Sequence, residues 1–132
     1  MIERRSRLHA HRRQILLGLI VLWAMAFAAT HIPAAGLPEM HLSDKRLHVI
    51  GYFGLGGAFW IALTAFRVRL SRRVGAVLLG LLVYGAMDEI SQPLVNRHAS
   101  LHDWLADAAG TALAVAVGLV SHVLHRLANR GR

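Results

Sequence analysis

Apolar residues fill four uncharged runs along the chain: Gln14 to Pro38, Leu47 to Phe66, Val74 to Met87 and Ala108 to Leu124. At a rise of ~1.5 Å per residue, about 20 helical residues cross a hydrocarbon core of ~30 Å. The first two runs are long enough outright, and the fourth is long enough with one flanking turn. The third has only 14 residues, or about 21 Å of helix. It crosses only by carrying Asp88 and Glu89 along and ending near Gln92, because Pro93 disfavours helix at the residue before it. The pattern predicts an all-α membrane protein, a compact bundle of four transmembrane helices over about 14–32, 44–66, 73–92 and 100–125. A basic N-terminus (1–13) and a basic tail (126–132) flank it.

Punctuation between the runs agrees with this division. Pro33, Gly36 and Pro38 break the chain after the first helix, and Ser43 or Asp44 is placed to cap the second. Ser100-Leu-His-Asp103 fits a capping box and predicts the start of the fourth. Ala26-Phe27-Ala28 resembles a signal-peptide cleavage box, but the uncharged run continues past it and three further spans follow. An uncleaved first helix is the expectation. Ala106, Gly110, Ala114 and Gly118 recur every four residues and predict a ridge of small side chains on the fourth helix, along which membrane helices approach closely.

The net charge is +8, which by itself would admit a nucleic-acid role. Its distribution excludes that reading. Arg4, Arg5, Arg7, Arg12 and Arg13 precede the first run, Arg67, Arg69, Arg72 and Arg73 separate the second from the third, and Arg126, Arg130 and Arg132 follow the fourth. The alternate connections hold only Lys45, Arg46 and Arg97. This is the positive-inside pattern. It predicts both termini in the cytoplasm and residues 33–46 and 93–103 outside. Six of the seven acids, Glu39, Asp44, Asp88, Glu89, Asp103 and Asp107, gather at the outer side. Orientation does not require this, since acids contribute little to it. The absence of cysteine removes disulfides, thiolate zinc sites and a cysteine nucleophile.

Helical spacing sorts the candidate chemistry into lines, because residues three or four apart share a face. Asp44, His48 and Tyr52 form one line, and Tyr84, Asp88 and Gln92 a second with Gly85 and Glu89 beside it. Asp103 and Asp107 align with Gly110, Thr111 and Ala114. All three lines meet at the same level of the bundle. Several members have a plain structural reading: Asp44 or Asp103 as caps, His48 as a neutral buried histidine, and Tyr52, Trp60 and Trp104 as interfacial aromatics. His98, His102, His122 and His125 carry little. Asp88 and Glu89 resist such a reading, because intramembrane acids are expensive and short side chains cannot snorkel. Six acids against three bases cannot all pair, which leaves protonation, a bound cation or a partly solvated pocket. His48 with several carboxylates could hold a divalent cation, although no recognised metal-motif spacing is present.

These residues bear a family resemblance. Asp44-Lys45-x-x-His48-x-x-x-Tyr52, Tyr84-Gly85-x-x-Asp88-Glu89-x-x-Gln92, and Arg97 with Asp103 to Gly110 resemble the VanZ-like membrane proteins, over roughly residues 40–118. Two departures stand out: Asn96 where the family often has glycine, and Asp107 where asparagine is common. The resemblance implies a small bacterial multi-spanning protein of the inner (cytoplasmic) membrane, in a family named for a glycopeptide-resistance factor, but it supplies no reaction and does not by itself imply a role in resistance. The leading expectation is an outward-facing acidic pocket that acts on or binds a lipid-linked or cell-wall precursor. In its enzymatic form His48 and one of Asp88 or Glu89 do acid–base work, while Arg97 and Lys45 hold an anionic group. Asp44, Tyr52, Gln92, Asp103 and Asp107 complete the ligand-binding set. The alternatives are a non-catalytic binder or scaffold and a proton- or ion-coupled transporter. No charges line an inner half-path for the last.

Overall fold

A computed structural model describes residues 2–32 and 43–130; the expectations placed on Pro33, Gly36, Pro38, Glu39 and Arg132 lie outside them. The described chain is helical throughout: α1 (Ile2–Thr30), α2 (Asp44–Ala65), α3 (Leu70–Ser91), a 3-10 turn (Gln92–Val95) and α4 (Leu101–Arg130). All four α-helices are long and apolar enough to cross a membrane. That property suggests a multi-pass membrane protein in a lipid bilayer. The helices outrun the apolar runs at their arginine-bearing ends. α1 begins far upstream of residue 14 and α4 continues to Arg130, since arginine is a good helix former and nothing there breaks the helix.

The central pair is α2 and α4, with α3 packed on α4 and α1 laid against α2. The small residues of α4 explain the closeness of that pair. A Cβ added to Gly110 would overlap the carbonyl of Val49, and one on Gly118 would enter the indole of Trp60. One on Gly56 would come within 2.7 Å of the Ala114 methyl. Below this crossing Tyr52, Leu55, Trp60, Val77, Leu81 and Val115 form the apolar core. Outward-facing positions are also apolar. On α3 Leu79, Val83, Met87 and Ile90 are exposed, and Leu94 of the 3-10 turn is exposed beyond them, which fits lipid as the solvent.

The turn between α2 and α3 closes the basic end of the bundle. Arg67 adopts φ 57° where glycine is usual, with Val68 N–H bonded to Leu63 O at 3.0 Å and Arg67 N–H to Thr64 O at 2.9 Å. This is a Schellman-type helix stop. Arg73, grouped with the basic loop by its position in the sequence, is in fact buried. It donates to Val68 O at 2.9 Å and lies over the Trp60 ring at 5.1 Å, a cation–π placement. All the aligned acids sit at the opposite end, where α1 and α3 finish and α2 and α4 begin.

The crossing makes a direct stability prediction. Gly110→Ala must push backbone apart and should cost about 1–3 kcal/mol, read as a lower thermal midpoint of the detergent-solubilised protein. Gly57→Ala, with nothing within 4 Å of the new methyl, should leave the midpoint unchanged or raise it.

Candidate functional site

Asp88 and Glu89 are neighbours in sequence, so on a helix they point about 100° apart. Each serves a different partner helix. Asp88 is fully buried and turns to α1, where its Oδ1 accepts the Thr30 hydroxyl at 2.7 Å. His31 Nδ1 stands 3.6 Å from the same oxygen. Gln92, one turn on, donates to Asp88 Oδ2 at 3.4 Å and to Glu89 Oε1 at 3.2 Å. Glu89 turns to α4. Its Oε2 accepts the backbone N–H of Ser100 at 2.7 Å.

That bond completes the start of α4 in an unexpected way. Ser100 is the N-cap, and its hydroxyl accepts the Asp103 N–H at 3.3 Å, as the capping pattern requires. In a closed capping box the acid three residues on would accept the cap's own N–H. Here Glu89 from another helix accepts it, and a carboxylate there also favours the helix N-terminus electrostatically. Asp103 is thereby left free to face α2. Ser43 occupies the N-cap of α2 but makes no side-chain cap bond, so the start of α2 relies on its carbonyl alone, bonded to Arg46 and Leu47 N–H.

The histidine of the α2 line lies between two acids. His48 is buried, with Nδ1 2.8 Å from Asp107 Oδ1 and Nε2 4.0 Å from Asp44 Oδ1. An ionised Asp107 can only accept, so it selects the Nδ1–H tautomer and leaves Nε2 as a lone pair directed at Asp44. Asp107 is fully buried and its second oxygen, Oδ2, has no hydrogen-bond partner. Tyr52, also buried, likewise has an unpartnered hydroxyl. Both atoms lie against Gly85, where an added Cβ would stand 3.0 Å from Asp107 Oδ2 and 3.1 Å from Tyr52 Oη. Glycine there admits the close approach of both oxygens to α3.

Arg97 reaches the centre from the α3–α4 connection. Asn96 turns the chain with φ 59° and ψ 34°, a left-handed conformation that asparagine accepts at low cost. Arg97 then donates to Thr30 O at 3.1 Å, at the C-terminus of α1, and stands 3.6 Å from Asp44 Oδ2. A cation at a helix C-terminus is favourable. Lys45 is exposed. It lines a separate concavity of about 260 Å³ with Arg46, Val49 and Ile50. His98 and His102 are exposed, and Trp104 donates Nε1–H to Leu82 O at 3.0 Å, which ties α4 to α3.

The structure therefore gathers His48, Glu89, Asp107, Tyr52 and Gln92 in an enclosed centre, with Asp44, Asp103 and Arg97 at its rim. Asp88 joins through Gln92 but mainly anchors α1. Thr30, His31 and Ser91 are the members that spacing alone does not reveal. His31 Nε2 lies 2.9 Å from Ser91 Oγ, and Thr30 and His31 lie inside an uncharged run whose periodicity gives no reason to single them out.

Removing the Glu89 carboxylate should expose its capping function. Glu89→Ala leaves the Ser100 N–H without its acceptor, at about 1–3 kcal/mol, whereas Glu89→Gln keeps a carbonyl oxygen in place and should lose less. Thermal unfolding of the two variants in detergent measures the difference. Equal losses would deny the bond any weight.

No protein-family model, no curated protein and no solved structure matches this chain.

Proposed function

We propose that the chain is a VanZ-like multi-pass protein of the bacterial cytoplasmic membrane, with both termini cytoplasmic. Its acidic end, on the outer side, engages a phosphate-bearing envelope component such as a lipid-linked cell-wall precursor. The observation that carries this reading is the pairing of Arg97. Its carboxylate partner, Asp44, is more than half exposed and stands 3.6 Å away. A pair of that kind contributes little to stability. A phosphate offers the guanidinium a bidentate, more highly charged acceptor, so it can replace Asp44 without dismantling the bundle. Lys45, exposed on the same first turn as Asp44, adds a second positive charge to the rim.

Beneath the rim, His48 supplies the chemistry in the catalytic version. Its unprotonated Nε2 accepts a proton while Asp107, rather than the adjacent pair on α3, holds the ring in orientation. Glu89 and Asp88 then shape the charge around it. The enclosure of His48, only 6% exposed, favours a second reading: a holder that grips the precursor, or a glycopeptide bound to it, without changing it. Both versions use Arg97 as the anchor.

Two measurements test the proposal. With a polyprenyl diphosphate added to the detergent-solubilised protein, native mass spectrometry should register a bound lipid, and Arg97→Gln should weaken binding at least about tenfold, or ~1.4 kcal/mol. Unchanged affinity in that variant sinks the anchor. His48→Gln separates the versions: a holder retains binding and turnover never appears, whereas an enzyme retains binding and loses turnover. The native chain has no cysteine, so single-cysteine variants report orientation cleanly. In intact cells a membrane-impermeant maleimide should label Asn96→Cys and leave Asn129→Cys unlabelled, and the reverse pattern overturns the assignment of sides.

A further inference from the structure

Three carboxylates, Asp88, Glu89 and Asp107, are withdrawn from solvent at one end of the bundle, at 0%, 5% and 0% exposure. Among the described residues, the arginine closest to them pairs with Asp44 and a backbone carbonyl instead, and the buried Arg73 lies at the far end. The basic side chains that face these acids, among the described residues, are histidines: His48 against Asp107, and His31 against Asp88. Uncompensated buried charge in a membrane protein is expensive, so this concentration of acids calls for a counter-charge.

We propose that His48, Glu89 and Asp107, one each from α2, α3 and α4, hold a divalent cation of zinc type. One donor atom from each lies within 4.8 Å of the others. The 2.8 Å between His48 Nδ1 and Asp107 Oδ1 is a hydrogen-bond distance, and it need open only to ~3.4 Å for the two donors to share a tetrahedral shell with ~2.1 Å bonds. The unpartnered Asp107 Oδ2 and Tyr52 hydroxyl are independent of that spacing. They are buried polar atoms that converge beside Gly85, one of them on the ligand Asp107 itself, and a cation or its bound water would satisfy them. Mixed imidazole and carboxylate donors suit zinc or manganese better than magnesium.

Asp44, His48 and Asp103 make a second grouping of the same dimensions. Its Asp44 is half exposed and already faces Arg97, so the enclosed grouping has the greater need. Binding there puts the metal on Nδ1 and moves the neutral ring's proton to Nε2, on the side of Asp44. Protons compete with the metal for the imidazole and both carboxylates, which makes affinity pH-dependent, and the ion clips three helices together. This site stands whether or not the envelope ligand is the one proposed above; with the metal on Nδ1 the ring proton sits on Nε2, so the occupied site goes with the holder version rather than the catalytic one.

The test uses the full chain in detergent, stripped with a chelator, with Zn²⁺ alone and no lipid added. Competition against a chromophoric chelator should give one Zn²⁺ per chain, and the thermal midpoint should rise on binding. Asp107→Asn and Glu89→Gln, which keep side-chain shape, should each weaken binding at least tenfold, while His122→Ala at the opposite end should not. Should either variant fail to fold, X-ray absorption on the Zn²⁺-loaded native chain decides: a shell of one imidazole and oxygen donors supports the site, and a shell of several imidazoles overturns it. Absence of stoichiometric Zn²⁺, or binding indifferent to both substitutions, also overturns it. Because lipid is absent throughout, failure here leaves the Arg97 anchor untouched, and failure of that anchor leaves the metal site standing.

Discussion

A histidine and a carboxylate that meet at 2.8 Å in the tightest part of a membrane bundle, His48 on α2 and Asp107 on α4, constrain everything around them. Asp107 is fully buried and His48 nearly so, so each relies on the other. Their contact is affordable only where two backbones approach closely, and α4 provides that approach one turn away. Gly110 lies against the Val49 carbonyl, directly beside His48 in sequence. Small side chains and a buried polar pair are thus parts of a single arrangement. Without the glycine the helices separate, and without the pair the separated polar groups face lipid.

From that contact the other helices are positioned by acids that cap or tie chain ends. Glu89 holds the first turn of α4, Asp88 holds the last turn of α1, and Arg97 closes over that same turn while facing Asp44. Adjacent carboxylates at the end of an apolar helix are costly as isolated charges. As two acceptors pointing 100° apart they join two helices, α1 and α4, to α3. The same geometry leaves Asp107 Oδ2 and the Tyr52 hydroxyl without partners where both close on Gly85. The bundle is therefore firmly tied around a centre that is itself under-satisfied, a combination that suits ligand or ion binding better than passive support.

Much of this was legible in the chain. Run lengths located four helices to within a few residues, apart from the charged extensions of α1 and α4. Four-residue spacing placed His48, Asp107 and Glu89 on inward lines because a helix has few ways to turn its faces. The pairing within the cluster was not legible. Spacing says which residues share a face and gives nothing on the rotation of one helix against another, so it could not assign Asp107 rather than Asp88 or Glu89 to His48. Thr30 and His31 stayed hidden inside an uncharged run, and Glu89 took the acceptor position that the local capping pattern reserves for Asp103. Arg73 read as one more loop arginine, although the Trp60 ring gives its guanidinium a buried seat.

The measurement closest to the centre of this account is a double-mutant cycle across the α2–α4 contact. His48→Gln, Asp107→Asn and the double variant would be compared with the native chain by reversible unfolding in detergent. A direct contact predicts that the two losses fail to add, with an interaction energy of about 0.5–3 kcal/mol. Strict additivity would contradict it, because two side chains that do not sense each other cannot be the joint on which the bundle is built.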